Sequence, residues 1–107
     1  MSGSGGTVYD PEPPVTACDL LNFPSILNSP NPIVVPQLGV GTVLQVVAQP
    51  RADGTLVVVA MHGPLVAGSI TSDQLLRLID CTSDGHHYVA EVTSIKGAKV
   101  DVYVRHV

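Results

Sequence analysis

Apolar and polar residues alternate most regularly near the end of the chain. Valines occupy every second position at Val100, Val102 and Val104, and the residues between them are Asp, Tyr and Arg. Because successive side chains of a strand point to opposite faces, this pattern predicts a strand over residues 98–106 with its valines facing inward. Another strand is predicted over residues 86–95, joined to it by a short turn.

Three further strands are predicted upstream, over residues 43–49, 55–61 and 65–70. The first two are joined by a turn containing Asp53-Gly54, a pair that tolerates the positive φ of a tight hairpin. Five of the seven residues 55–61 are Leu, Val or Ala, and such a near-continuous run predicts a strand buried on both faces. We therefore expect something beyond its own sheet to cover one face of this strand, either the face with Val57 and Val59 or the face with Leu56 and Val58.

The spacing of apolar residues changes after residue 70. Leu and Ile separated by three and four positions predict a helix over residues 72–82. Thr71 is predicted as its N-cap, since Gln74 three residues later completes a capping box. Gly85 is predicted to end the segment in the left-handed conformation.

The N-terminal third of the chain differs in composition. Residues 1–14 are rich in Gly, Ser and Pro and are predicted to form a flexible leader. Residues 15–38 contain four prolines between positions 24 and 36, which excludes a continuous helix. We expect this Pro-rich segment to wrap over the domain or to lie at a sheet edge, with the domain itself spanning residues 39–107.

Three strands, a helix and two strands follow one another in the order of the OB-fold, a small and partly open β-barrel. The sequence therefore predicts a mainly β, OB-like barrel. Residues 39–107 resemble the HIRAN family, an OB-like module that occurs alone or attached to helicase-type DNA-repair proteins. The matching segments are Val40-Gly41-Thr42-Val43-Leu44, Val66-Ala67-Gly68-Ser69-Ile70, Tyr88-Val89-Ala90-Glu91-Val92 and Val100-Asp101-Val102.

The resemblance implies binding of single-stranded DNA ends. HIRAN domains carry an Asn-Pro-Tyr-Asp-Pro-Asn-Ala type loop after their first strand, whereas this chain has only residues 49–54 there, and Ser69 stands where the family has a Tyr. Single-stranded nucleic acid is held by aromatic stacking and basic grooves, so these departures concern the DNA activity more than the fold. The residues available for this alternative function are Arg51, Tyr88, Lys96, Lys99, Tyr103 and Arg105.

Charged residues make up only 13% of the chain, against roughly 25% in an average soluble domain. A net charge of −4 with five basic residues is a poor electrostatic basis for binding nucleic acid. The surface is therefore either rich in uncharged polar residues or covered in part by a partner. We predict a non-enzymatic protein-interaction or assembly module, a homo-oligomer or a binder of another protein, that uses a valine-rich β surface. The predicted contact residues are Val57, Val59, Ile33, Val34 and Val35.

Catalytic and metal-binding patterns are not found in the sequence. His86 and His87 are adjacent, so on a strand they point to opposite faces and cannot share one metal ion. No Cys-x-x-Cys or His-x-x-x-His spacing occurs, and the acidic residues are scattered singly. The sequence therefore predicts no enzyme activity, no metal and no cofactor.

Cys18 and Cys81 are the two cysteines of the chain. We predict two unbridged, buried thiols in a reducing compartment, with a disulfide only if the fold brings the two residues close. Residues 1–7 lack the basic and apolar regions of a signal peptide, and no apolar run approaches the roughly 20 residues that span a bilayer. The expected location is the cytoplasm, without membrane contact.

Overall fold

The computed structural model describes residues 17–107, so the predicted leader 1–14 lies outside the described residues. Six strands and one α-helix make up the described part, together with two short 3₁₀ turns. In chain order they are a 3₁₀ turn Cys18–Leu20, strand β1 Phe23–Asn28, a 3₁₀ turn Val35–Gln37, strands β2 Val43–Pro50, β3 Leu56–His62 and β4 Leu65–Ile70, helix α1 Leu75–Ser83, and strands β5 Tyr88–Lys96 and β6 Lys99–His106.

The six strands form a closed ring in the order β1, β4, β3, β2, β5, β6, and each neighbouring pair is antiparallel. The ring is uneven. Strands β5 and β6 pair over nearly their whole length, whereas β1 meets β4 only at Leu27 opposite Ile70 and Asn28 opposite Ser69. This architecture confirms a mainly β, barrel-like domain with one helix, and all five strands predicted from the apolar pattern are present.

Strand β1 is the element that the sequence pattern missed. It lies between β4 and β6, so part of the Pro-rich segment is a paired member of the ring, where we expected a wrap or an edge. Phe23 and Leu27 point into the core and are 6% and 3% exposed. Pro24 is tolerated as the second residue of the strand, close to the start, where a missing N–H donor does little harm.

The core fills the inside of the ring and is almost entirely aliphatic. The predicted inward valines of β6 are confirmed, and Leu44, Val58 and Ile70 meet them from other strands. Helix α1 adds Leu78, which has no exposed surface. The buried members are Leu21, Phe23, Leu27, Val34, Leu44, Val46, Val58, Ala60, Ala67, Ile70, Leu78, Cys81, Tyr88, Ala90, Val92, Val100, Val102 and Val104.

The predicted N-cap of the helix is wrong. The helix begins at Leu75, and Ser72 is the hydroxyl residue that serves its first turn, since Ser72 Oγ accepts a hydrogen bond from the backbone N–H of Gln74 at 3.1 Å. Thr71 instead accepts a hydrogen bond from Asn28 Nδ2 through its side chain. A contact between residues 43 positions apart decided the role of this hydroxyl, and local spacing could not reveal it.

The prediction of two free thiols is also wrong, because Cys18 and Cys81 form a disulfide with their Cα atoms 5.6 Å apart. The bond joins the first 3₁₀ turn to the buried side of α1. Tyr88 adds to this junction, since its hydroxyl donates to the carbonyl oxygen of Cys18. Disulfides persist mainly in oxidising compartments. The predicted cytoplasmic location therefore no longer has the support of two reduced thiols, and it stays a prediction. Among residues 17–107, no helix is long and apolar enough to cross a membrane.

Strand β4 passes close to β1 at Gly68. A methyl group at this position would lie 3.0 Å from Cβ of Leu27 and 3.1 Å from the carbonyl oxygen of Asn28. Leu27 and Asn28 both belong to β1, so a methyl group at Gly68 would push β1 and β4 apart where only two residue pairs join them. We expect Gly68→Ala to lower the free energy of unfolding by about 1–3 kcal/mol, the usual cost of overpacking, as measured by urea denaturation.

Gly39→Ala is the matched control for this substitution. A methyl group there would meet no atom within 4 Å, and the backbone φ of Gly39 is not positive. We expect it to be neutral or to stabilise by about 0.5 kcal/mol through the unfolded chain. Equal urea midpoints for the two alanine variants would contradict the close approach at Gly68.

Candidate interaction surface

The outer side of the β2–β3 hairpin carries a face without charged side chains. Because Leu44 and Val46 of β2 point into the core, the residues between them point outward. The register places Val47 opposite Val59. We call the following seven residues the outer β2–β3 face: Val43, Gln45, Val47, Gln49, Val57, Val59 and Met61.

Two long side chains cover the centre of this face. The amide of Gln49 donates to the sulfur of Met61 at 3.9 Å, although the two residues lie at opposite ends of the face in the register. Their side chains therefore meet over the pair formed by Val47 and Val59. This cover explains why Val59 is only 5% exposed on the outside of the ring, whereas Val47 keeps 37% and Val43 keeps 46% of their surface exposed.

The turn after β2 keeps its charges at the tip of the hairpin. Asp53 accepts hydrogen bonds from the backbone N–H and the hydroxyl of Thr55, at 3.0 and 2.7 Å. These bonds, together with the positive charge of Arg51, lower the pKa of Asp53 below its ordinary value. The predicted Asp-Gly turn is confirmed by the positive φ of 87° at Gly54. A hydrogen-bonded turn with charged side chains thus bounds the uncharged face at one end.

The predicted contact residues divide between the surface and the core. Val57 and Val59 lie on the outer β2–β3 face. Val34 has no exposed surface and belongs to the core, so it cannot present a contact to a partner. Ile33 is 71% exposed, and Val35 packs partly buried against the core.

We expected the segment that carries Ile33, Val34 and Val35 to lie along a sheet edge, but it does not form a strand. It is a turn followed by a 3₁₀ turn. Asn31 fixes it to β4 by donating its backbone N–H to the carbonyl oxygen of Ala67 at 2.8 Å and its side-chain amide to that of Val66 at 3.1 Å. These bonds hold the loop after β1 against β4, and the loop buries Val34 in the core.

The sequence pattern did not identify five residues of the outer β2–β3 face, namely Val43, Gln45, Val47, Gln49 and Met61. A usable signal was present, because every second residue of the predicted strand 43–49 is an uncharged Val or Gln. Only the register of the folded hairpin shows that these residues lie beside Val57 and Val59.

The structure does not unite the residues considered for nucleic acid. Tyr88 is 1% exposed, and burial raises the pKa of its phenol, so its ring is not available for stacking on a base. Arg105 pairs with Glu91 at 3.2 Å, and the hydroxyl of Tyr103 donates to Asn22.

The remaining basic residues of that group lie at opposite ends of the ring. Lys96 and Lys99 face each other across the β5–β6 turn. Arg51 follows the end of β2, and β5 runs antiparallel to β2, so the end of β5 points away from Arg51. Arg51, Lys96 and Lys99 therefore do not form one continuous patch.

The histidines meet in a way that their spacing did not indicate. His86 Nδ1 lies 2.9 Å from His106 Nε2, across 20 residues of sequence. Within residues 17–107, no group of three or more His, Cys, Asp or Glu side chains could hold a metal ion. The two imidazole nitrogens thus lie within contact distance of each other, and the described residues place no third His, Cys, Asp or Glu beside them.

No protein-family model, curated protein or solved structure matches this chain. The resemblance to the HIRAN family therefore stays a prediction.

Proposed function

We propose that this chain is a non-enzymatic assembly module that joins a second copy of itself through the outer β2–β3 face. The observation that carries the proposal is the absence of charge from these seven side chains, with Val43 and Val47 still 46% and 37% exposed. A contact between identical chains across a two-fold axis brings each patch against itself. An uncharged patch meets its own copy without opposing like charges, so it suits this kind of contact.

Exposed apolar surface continues beyond one end of the face. A stable interface buries about 800 Å² on each partner, more than these side chains expose by themselves. Val40, 72% exposed, lies three residues before Val43 and adds apolar surface at that end. Leu56 lies opposite Pro50 and alternates with Val57, so its side chain points to the other side of the hairpin and takes no part in the contact. Because the Gln49–Met61 contact already covers Val59, we expect moderate affinity and a concentration-dependent dimer.

We further infer an OB-like connectivity for the ring. The supporting observation is that β2, β3 and β4 form a meander, while β5 pairs with both β2 and β6. Five strands would leave a gap between β4 and β6, and β1 occupies it. This extra strand is antiparallel to both of its neighbours.

The test of self-association is the molar mass in solution over a wide concentration range, by light scattering or sedimentation equilibrium. We expect the mass to rise from 11.1 kDa toward twice that value. Val47→Glu should weaken the association by about 100-fold or more, because burying an unpaired carboxylate costs several kcal/mol. Circular dichroism should show that the variant keeps the β-rich fold, since the side chain of Val47 lies outside the core.

Leu76→Glu provides the matched control, an apolar-to-acidic change at a site that is 78% exposed on helix α1. We expect it to associate as the unchanged chain does. A mass of 11.1 kDa at every concentration would refute self-association. Equal weakening by both substitutions would refute the outer β2–β3 face as the contact.

A further inference from the structure

His86 and His106 are held next to each other, with their rings tilted by 59°, by the backbone around them. The N–H of His86 donates to the carbonyl oxygen of Cys81 at 3.0 Å, which fixes the loop after α1. His106 ends β6 opposite Tyr88, and the edge of the Tyr88 ring packs on its imidazole at 5.3 Å between centroids. The two imidazole centroids lie 5.1 Å apart, and both side chains are half-buried.

We propose that His86 and His106 chelate one divalent transition-metal ion through Nδ1 and Nε2, with Cu²⁺ preferred and Ni²⁺ second. Imidazole nitrogens suit these ions, and Cu²⁺ binds most tightly among the divalent first-row metals. Metal–nitrogen bonds are about 2.0–2.1 Å long, so two ligands at right angles lie about 2.9 Å apart, and two at a tetrahedral angle about 3.3 Å apart. The separation of 2.9 Å fits the right angle of a square-planar or tetragonal site.

Both imidazoles keep part of their surface exposed, and a cleft opens beside His86. A cleft of about 410 Å³ lies beside His86, between the end of α1 and strand β2, and it includes the hydroxyl residues Thr82 and Ser83 and His87. Since the described residues supply no third His, Cys, Asp or Glu ligand, water fills the remaining positions. The site is therefore an exchangeable two-imidazole site and differs from a closed structural one.

In the metal-free protein the same distance fits a hydrogen bond between two neutral imidazoles, in which one nitrogen carries the proton. Metal binding needs both coordinating nitrogens unprotonated, so the imidazole that donated the hydrogen bond carries its proton on its other ring nitrogen in the complex, and both rings stay neutral. In the hydrogen bond the acceptor lone pair points at the partner nitrogen, whereas in the chelate both lone pairs point at the ion, so the rings turn on binding while the two nitrogens keep a similar separation. A metal titration separates a chelating pair from a purely structural one.

The experiment titrates the full chain, with its disulfide intact and no reductant, with Ni²⁺ by calorimetry and with Cu²⁺ by electron paramagnetic resonance. We expect one ion per chain and a resonance split by two imidazole nitrogens. His86→Ala and His106→Ala should each weaken binding by about 100-fold or more, because the second ligand acts intramolecularly. Ni²⁺ should also raise the melting temperature of the unchanged chain and leave that of His106→Ala in place.

His62→Ala is the matched control, since His62 ends β3 and has no imidazole partner among the described contacts. It should leave the affinity unchanged, as should His87→Ala. Circular dichroism of the metal-free variants tests whether each one folds, and either of the two pair variants suffices if the other does not. Binding that survives His86→Ala or His106→Ala in a folded chain would overturn the site, as would an equal loss in His62→Ala or His87→Ala.

Discussion

Reduction of the Cys18–Cys81 disulfide is expected to lower the free energy of unfolding by about 4 kcal/mol. The bond closes a loop of 63 residues, and a cross-link of that span removes much of the entropy of the unfolded chain. With a slope of about 1–2 kcal/mol per molar urea, the midpoint of unfolding should fall by roughly 2–4 M when dithiothreitol is added. Urea denaturation followed by circular dichroism, with and without the reductant, measures this difference.

Cys18→Ala separates the cross-link from other effects of the reductant. This variant keeps Cys81, which is fully buried against the core, so the packing of α1 is largely retained. Its urea midpoint should match that of the reduced chain and should not move on addition of dithiothreitol. A midpoint of the unchanged chain that is indifferent to reduction would show that this bond does not stabilise the fold.

Val34→Asp is expected to destabilise the protein by at least about 3 kcal/mol, while Ile33→Asp changes its stability by no more than about 0.5 kcal/mol. The two residues are neighbours of similar chemistry, and the sequence interpretation treated them alike. Val34 has no exposed surface, so a carboxylate there loses its water and gains no partner. Ile33 is 71% exposed, and a carboxylate there stays in solvent.

The midpoints of thermal and urea unfolding measure this pair of variants. If Val34→Asp does not fold, Val34→Ala gives the same information, with an expected loss of about 2 kcal/mol for the missing core methyl groups. Similar stabilities for Val34→Asp and Ile33→Asp would contradict the burial of Val34. They would also indicate that the loop with Ile33 and Val34 is an exposed surface segment.

The proposed contact surface shows how much of a site can be inferred before the fold is known. Val57 and Val59 were predicted because the strand 55–61 is apolar on both faces, and the structure places both on the outside of the ring. Their neighbours came from the register of the hairpin with β2. The cover of Val59 came from Gln49 and Met61, whose contact follows from side-chain length and position in the folded sheet.

Local periodicity by itself determined the strands after residue 40, the position of the helix to within a few residues, and the inward valines of β6. These features depend on the spacing of neighbouring residues, because a strand repeats every two residues and a helix about every 3.6. The low charge of the chain also follows from composition directly. The strand and helix patterns are contained in short windows of sequence, whereas the charge is a sum over the whole chain.

The tertiary structure alone decided the features that depend on contacts between distant residues. Strand β1 forms because β4 and β6 leave a place for it, although Pro24 within it and the prolines that follow it argue against a strand. The disulfide joins residues 63 positions apart, and His86 reaches His106 across 20. Closure of the ring sets these distances, and no local pattern encodes them, because pairing between strands is specified by the packing of the whole core.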